Sequence, residues 1–380
     1  MNARMNQYFV LLLVVLLCGT AQAQEKLQKV KIASGGHVVH FLPLDLAVAL
    51  GYFKDEGLEP KITYLKGGTA TAQALISGQV DFSTNSIDHA FKAAAKGKDD
   101  LRMVVLLNQT PGMVLVVNSK YKDKVKSIAD LKGKRLGVTS KGSATDMVLA
   151  FLLSKNGVSP DQVTVVKAGT STFPPALKNG DINGGIAIEP FASIMVEQGD
   201  VFVLQRLITA EDSQKAFGGP YSLTGILTRQ DVIDDSPELV RKTVRAHVRA
   251  LAWIKDHTEE EIANVLSSEV VGSDKARYVK TLRLLKNFYS PDGALSYEGA
   301  ANVLEAMKVS GVLTDGTRLR PEAFLEDRFV RSNTSLRMTP VDVKPKEPEA
   351  QATSGQNSVI AAIVLLAVAA GLIVLLRRKK

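Results

Sequence analysis

Short apolar or alternating runs recur along the chain, separated by longer stretches with helical spacing. Lys29–Ser34, Lys61–Leu65, Val80–Ser83, Arg102–Leu107 and Val114–Asn118 read as strands. Between them Pro43–Phe53, Thr69–Ser77 and Ile87–Lys96 read as helices, with Gly51, Gly78 and Gly97 as stops. The beat then repeats. Arg135–Val138, Gln162–Lys167, Gly184–Ile188 and Val201–Leu204 read as strands, and Ser143–Lys155, Thr172–Asn179 and Pro190–Gln198 as helices. After Tyr221 one more strand, Leu223–Thr228, precedes a run of helices: Ser236–Asp256, Glu259–Leu266, Asp274–Phe288 and Tyr297–Ser310. Such alternation specifies an α/β class of mostly parallel sheets covered by helices on both faces. Two blocks of strands and a helical tail predict two lobes. Residues 24–118 and 221–336 build the first and 119–220 the second, so two crossovers, near Asn118 and Tyr221, make a hinge. The tail is expected to pack on the first lobe.

Both ends depart from this pattern. Arg4, the apolar run Val10–Leu17 and the small residues of Ala21-Gln22-Ala23 read as a secretory signal over residues 1–23. Cys18, the only cysteine, lies within it, so the mature chain is expected to hold no disulfide and no thiolate. Near the other end, Val359–Leu376 carries no charge. As a helix it is about 27 Å long, close to the thickness of bilayer hydrocarbon. Arg377, Arg378, Lys379 and Lys380 follow it and belong on the cytoplasmic side. Residues 358–376 are therefore expected to be a single transmembrane helix and 377–380 its cytoplasmic tail. Residues 337–357, proline-bearing and without apolar period, read as a flexible spacer. The large domain then sits outside the cytoplasm.

The apolar share, 45%, and charged share, 23%, are those of a folded globular chain. The formal charge of +8 is concentrated at the ends. Five of the 47 cations lie there, which leaves 42 against 39 acids and no footprint for nucleic acid.

In open α/β sheets, ligands sit at the carboxyl ends of strands. Four loops occupy such places: residues 34–40 with Gly36, His37 and His40; 66–71 with Gly68 and Thr69; 83–88 with Asn85, Ser86 and Asp88; and 139–145 with Thr139, Ser140, Gly142, Ser143 and Thr145. Each leads into a helix, where free N–H groups, the dipole and hydroxyls can hold an anion. For any one loop alone, ordinary capping by serine and threonine is the favoured reading. The two glycine-and-hydroxyl loops at equivalent places in successive blocks favour a ligand held between lobes. Glu189 ends a strand and either caps the next helix or accepts from a ligand amine. His37 and His40 lack an obvious third ligand, so no metal is expected. No GxxxxGK[ST], HExxH or Gly-x-Ser-x-Gly string occurs, no cofactor is called for, and a non-catalytic protein is expected.

Several strings resemble a known family: residues 51–58 (GYFKDEGL), 74–82 (ALISGQVDF), 130–138 (DLKGKRLGV), 176–185 (ALKNGDINGG) and 188–191 (IEPF). In this order they resemble the periplasmic solute-binding proteins of ABC importers for nitrate, sulfonate and taurine, with relatives that bind thiamine-pyrimidine precursors. The resemblance implies a type II periplasmic binding protein fold. It implies a cleft lined from around Gly36–His40, Gly68–Thr69, Asn85–Asp88, Thr139–Thr145 and Glu189. It also implies a small polar or anionic solute and a membrane permease as partners of a monomer. Ile188 stands where the family usually has an aromatic, so the ligand class does not transfer. Two other readings are a tethered sensor and an enzyme of the pyrimidine-synthase type. The cysteine-rich motif of the latter is missing.

Overall fold

Valine, isoleucine and leucine dominate the strand segments, and their side chains alternate or are buried on both faces, which suits sheets covered by helices. The computed structural model describes residues 26–313 and 318–334. The signal segment (1–23), the spacer (337–357), the transmembrane helix (358–376) and the basic tail (377–380) lie outside the described residues. Among the described residues no helix is long and apolar enough to cross a membrane.

The strands form two five-stranded sheets. The first contains β1 (Gln28–Ser34), β2 (Leu58–Tyr64), β3 (Phe82–Ser86), β4 (Leu101–Leu106) and β10 (Thr224–Arg229), in the order β2-β1-β3-β10-β4. The second contains β5 (Met113–Asn118), β6 (Arg135–Val138), β7 (Thr164–Lys167), β8 (Gly184–Ile188) and β9 (Val201–Leu207), in the order β7-β6-β8-β5-β9. β1 runs parallel to β2 and β3, and β6 runs parallel to β7 and β8. β10 and β5 are antiparallel to both of their neighbours. Each is the first strand laid down after the chain changes sheet. It enters from the side at which the other strands end, so it must run the opposite way.

This moves one expected boundary. Val114–Asn118 reads as the end of the first lobe, yet β5 is an interior strand of the second sheet, so the chain crosses between Leu106 and Met113. Alternation cannot reveal it, because β5 is as apolar as β4 and belongs to whichever sheet has the vacancy. The second crossing spans residues 208–223.

The helices around the sheets include α1 (Leu42–Ala49), α2 (Gly68–Ile76), α3 (Asp88–Ala94), α4 (Ala144–Lys155), α5 (Phe191–Glu197), α6 (Pro237–Asp256), α7 (Lys275–Leu285) and α8 (Tyr297–Val309). The single helix expected over 43–53 is broken in two. Gly51 has φ +74° and ends the first piece, and Tyr52–Asp55 forms a second. Helix Ala210–Phe217 has no counterpart in the sequence reading because it is short and polar on average, and Ser213 is the one residue it buries. Its signal is the reciprocal cap of Thr209 with Asp212. α6 lies on α1, on Tyr52–Asp55 and on β4 of the first sheet. α8 behaves otherwise: it packs on α3 of the first lobe and on α4 of the second, so the helical tail does not belong to one lobe alone.

The first crossing is tightly held. The N–H groups of Leu107 and Asn108 both donate to Thr224 O, Gln109 N donates to Phe288 O, and Ser290 N donates to Leu107 O. Thr110 Oγ1 donates to Ile208 O at 2.7 Å, which ties the two crossings together. Gly112 has φ +62°, and an added Cβ would fall 2.3 Å from the Phe288 ring and 2.9 Å from His40 Nε2. Glycine alone fits here.

Gly112→Val should destabilise the protein by about 3 kcal/mol or more, from a strained φ and an overpacked contact, read as a lowered midpoint in urea. Burial holds His247 at a pKa of about 4, against a hydrogen bond to Thr243 O that raises it. Its folded pKa is depressed below the unfolded value of roughly 6.5, so its contribution is complete above that pH and is lost as pH falls towards 4. Urea titrations should show a slope of up to about 1.4 kcal/mol per pH unit from this residue in that window, and His247→Gln should remove it.

Candidate binding site between the lobes

β1, β3, β6 and β8 end, and β5 and β10 begin, around one cavity. Gly35 follows β1, Asn85 and Ser86 close β3, Thr139 follows β6 and Ile188 closes β8. Met113 opens β5 and Thr224 opens β10. The remaining wall comes from Val38, His40, Phe41, Gly67, Gly68, His89, Ser143, Ala144, Thr145 and Thr170. The space open to the centre of a water-sized sphere is about 90 Å³. A single water needs about 10–15 Å³ on that measure, so the cavity suits a solute of roughly six to nine heavy atoms.

Two helix N-termini face this space, those of α2 at Gly68 and α4 at Ala144. Backbone N–H groups in a helix's first turn have no partner within the helix. At α4 the surroundings are hydroxyl-rich. Thr139 Oγ1, Ser143 Oγ and Thr145 Oγ1 form a triangle with sides of 2.9–3.0 Å, and Thr139 N donates to Thr145 Oγ1. At α2, Asn85 Nδ2 donates to Gly68 O and to Thr71 Oγ1, while its Oδ1 accepts from Ser86 N. Asn85 thus pins the glycine turn and spends its own hydrogen-bonding capacity doing so. Gly67 has φ +90°, and an added Cβ would lie 3.7 Å from Ser140 Oγ of the other lobe. At Gly68 a Cβ would meet His89 Nε2 at 3.0 Å and Asn85 Oδ1 at 3.1 Å. Both glycines let backbone approach where a side chain would intrude.

Among the described residues no lysine, arginine or carboxylate lines the cavity. Its two imidazoles are held neutral. Burial lowers the pKa of His40 to about 4 against its bond to Pro111 O, which raises it. Burial also lowers that of His89, with Asp88 opposing. Polarity is therefore supplied by N–H groups, hydroxyls and neutral rings, and Val38, Phe41, Met113 and Ile188 give an apolar wall.

Of the loop residues singled out in the sequence, His40, Gly68, Asn85, Ser86, Thr139, Ser143 and Thr145 meet at this cavity. Gly36, His37, Thr69, Asp88, Ser140, Gly142 and Glu189 do not line it. His37 instead bonds Asp45 Oδ1 through Nδ1 at 3.0 Å and lies 4.0 Å from the Tyr64 ring. Asp88 is fully buried beside Lys92. Burial pushes its carboxyl up, but the Lys92 charge and the hydrogen bonds from Lys92 and the backbone outweigh that and hold it below the usual range. Glu189 accepts from both Ser193 N and Ser193 Oγ at 3.0 Å and borders a separate space with Arg206. Gly142 and Ser140 stand at the junction of the lobes, where Lys92 Nζ of α3 donates to Gly142 O at 2.7 Å. Met113, Phe41, His89 and Thr170 line the cavity although the loop reading passed over them. Met113 and Thr224 begin strands instead of following them, and only the order of strands in the sheets brings them here.

Residues 39–261 match the family described as NMT1/THI5 like. YtlA of Bacillus subtilis (strain 168), which bears a binding-protein name, is 25% identical over 295 residues, covering 76% of this chain and 86% of YtlA. The 4-amino-5-hydroxymethyl-2-methylpyrimidine phosphate synthase of Schizosaccharomyces pombe is 31% identical over 160 residues, 42% of this chain and 44% of the synthase. A solved structure from Bordetella bronchiseptica RB50 superposes with a TM-score of 0.76 at 29% identity, covering 82% of this chain and 98% of that one. The alkanesulfonate-binding protein SsuA from Xanthomonas axonopodis pv. citri, bound to MOPS, gives 0.64 at 18% identity over 79% of this chain and 98% of SsuA, a likeness of fold. The chain belongs to the NMT1/THI5 like family, and its paired sheets with two crossings are the periplasmic binding protein fold.

Proposed function

We propose that the protein captures a small polar solute in the cleft between its lobes and delivers it to an ABC importer, without transforming it. The observation that carries this reading is the convergence of two helix N-termini, from different sheets, on one small cavity without a charged side chain among its described lining residues. Such a site holds acceptor atoms through N–H groups and hydroxyls and lets them go again when the lobes part. The binding-protein name of YtlA and the sulfonate named for SsuA point the same way. The cleft residues offered for the role are His40, Gly68, Asn85, Ser86, Thr139, Ser143 and Thr145.

The uncharged run at 358–376 and the four cations after it support a tether that keeps the domain beside its permease on the outer face of the membrane. A catalytic reading has the synthase relative in its favour. The only cysteine of this chain, Cys18, lies in the N-terminal apolar segment, which tells against a cysteine-dependent route.

Thermal unfolding of the full chain against nitrate, sulfonates, bicarbonate, amino acids and pyrimidines tests capture. A solute at 100 times its Kd should add about 2.7 kcal/mol to stability. No shift with any compound would remove the importer reading. Recovery of a chemically altered compound after incubation would replace it with an enzyme.

Closure generates a second expectation. Lys92 joins buried Asp88 to Gly142 O of the facing lobe, so its bond to Gly142 forms only when the lobes are together. Lys92→Met should weaken solute binding by about 10-fold, the size of one lost charge-assisted hydrogen bond. It should also destabilise the fold by about 3 kcal/mol, because Asp88 is left buried and unpaired. Adding Asp88→Asn should restore much of the stability but not the affinity. Full recovery of both would show that Lys92 matters only as a partner for Asp88.

A further inference from the structure

His40 sits in the short 3-10 turn Val39–Phe41 and is 5% exposed. The Phe288 ring meets it edge-on at 5.0 Å, and Gly112 packs close to both Phe288 and the Nε2 edge of the imidazole. Its Nε2 lies 3.0 Å from Pro111 O in the first crossing. A carbonyl oxygen can only accept, so Nε2 must carry the proton. The ring is neutral, held so by burial. The other nitrogen, Nδ1, therefore presents a lone pair and no hydrogen. It is buried and has no partner in the protein, and the ring borders the cavity.

A buried acceptor left unpaired costs about 1–3 kcal/mol. The rest of the cavity does not relieve it. Asn85 is spent on Gly68 O, Thr71 Oγ1 and Ser86 N. The hydroxyls of Thr139, Ser143 and Thr145 bond one another at the opposite lobe. The helix ends offer only donors. His40 Nδ1 is thus an acceptor whose role is set by Pro111 on the far side of the same ring. We infer that His40 selects the solute: the cleft takes one that carries an N–H or O–H group for His40 Nδ1 as well as acceptor atoms for the helix ends. This deepens the capture reading and rests on it. An ion made of acceptors alone, such as nitrate or a simple alkanesulfonate, sets its lone pairs against that of Nδ1 and leaves both unpaired. Sites that hydrogen-bond a solute group reject the analogue lacking it far more strongly than apolar pockets reject a missing methylene.

Matched pairs that differ by one donor test this. The pairs are ethanesulfonate with 2-hydroxyethanesulfonate, acetate with glycolate, and pyrimidine with 2-aminopyrimidine. Affinities are measured by calorimetry on the full chain and on His40→Gln, whose amide nitrogen can still donate to Pro111 O while the acceptor at the Nδ1 position is gone. In whichever pair binds, the donor-bearing member should bind about 10- to 100-fold more tightly to the natural protein. That ratio should fall below about 3-fold in His40→Gln. Equal affinities within a binding pair overturn the inference while leaving capture intact, as does an undiminished ratio in the variant. Should His40→Gln fail to unfold cooperatively, the ratio in the natural protein decides alone. If none of the six binds but the wider panel yields a ligand, that ligand and its donor-free analogue form the deciding pair. If nothing in the wider panel binds, capture itself falls and this inference with it.

Discussion

Six residues, Leu107 to Gly112, carry the chain from one sheet to the other, and most of the architecture answers to how they are held. They cannot be pulled straight, because backbone bonds to Thr224, Phe288 and Ser290 clip them to the return strand and to the segment after α7. They cannot be thickened, because Gly112 lies against Phe288 and His40 with no room for a Cβ. The bond from Thr110 to Ile208 makes the two crossings one unit. Small dihedral changes in such element-terminal segments are what a hinge uses. The same constraint reverses β5 and β10 within their sheets, which brings Met113 and Thr224 to the mouth of the cavity.

His40 links this hinge to the cleft. One nitrogen holds the crossing segment at Pro111 and the other is left unpaired. A solute bonded to that ring touches a group already joined to the hinge, so binding and lobe position share a residue. The rest of the wall is held differently. Asn85 fixes the turn before α2, and three hydroxyls brace one another before α4, so both helix ends are set in place before a solute arrives. Preorganised dipoles of this kind hold acceptor atoms without the desolvation cost that a buried lysine or arginine would add.

Polar contacts between the lobes accompany apolar ones. Lys92 reaches Gly142 O beside the cavity, and Lys280 of α7 pairs with Glu197 of α5. The second pair is largely exposed, and pairs of that kind contribute little. α8, packed on helices of both lobes, is the larger apolar link.

The sequence by itself determined the α/β alternation, most strand positions, the glycine stops, and the loops at strand ends that carry His40, Gly68, Asn85, Ser86, Thr139, Ser143 and Thr145. Those features are local: period, propensity and turn chemistry act over a few residues. Tertiary structure decided which sheet β5 joins, since an apolar strand suits either. It decided that α8 spans both lobes, since an amphipathic helix does not name its partner. It placed Glu189 on Ser193 and His37 on Asp45, away from the cavity, although their loops sit beside it. Strand order and packing set where a loop's side chains point, and that information is spread over residues far apart in the chain.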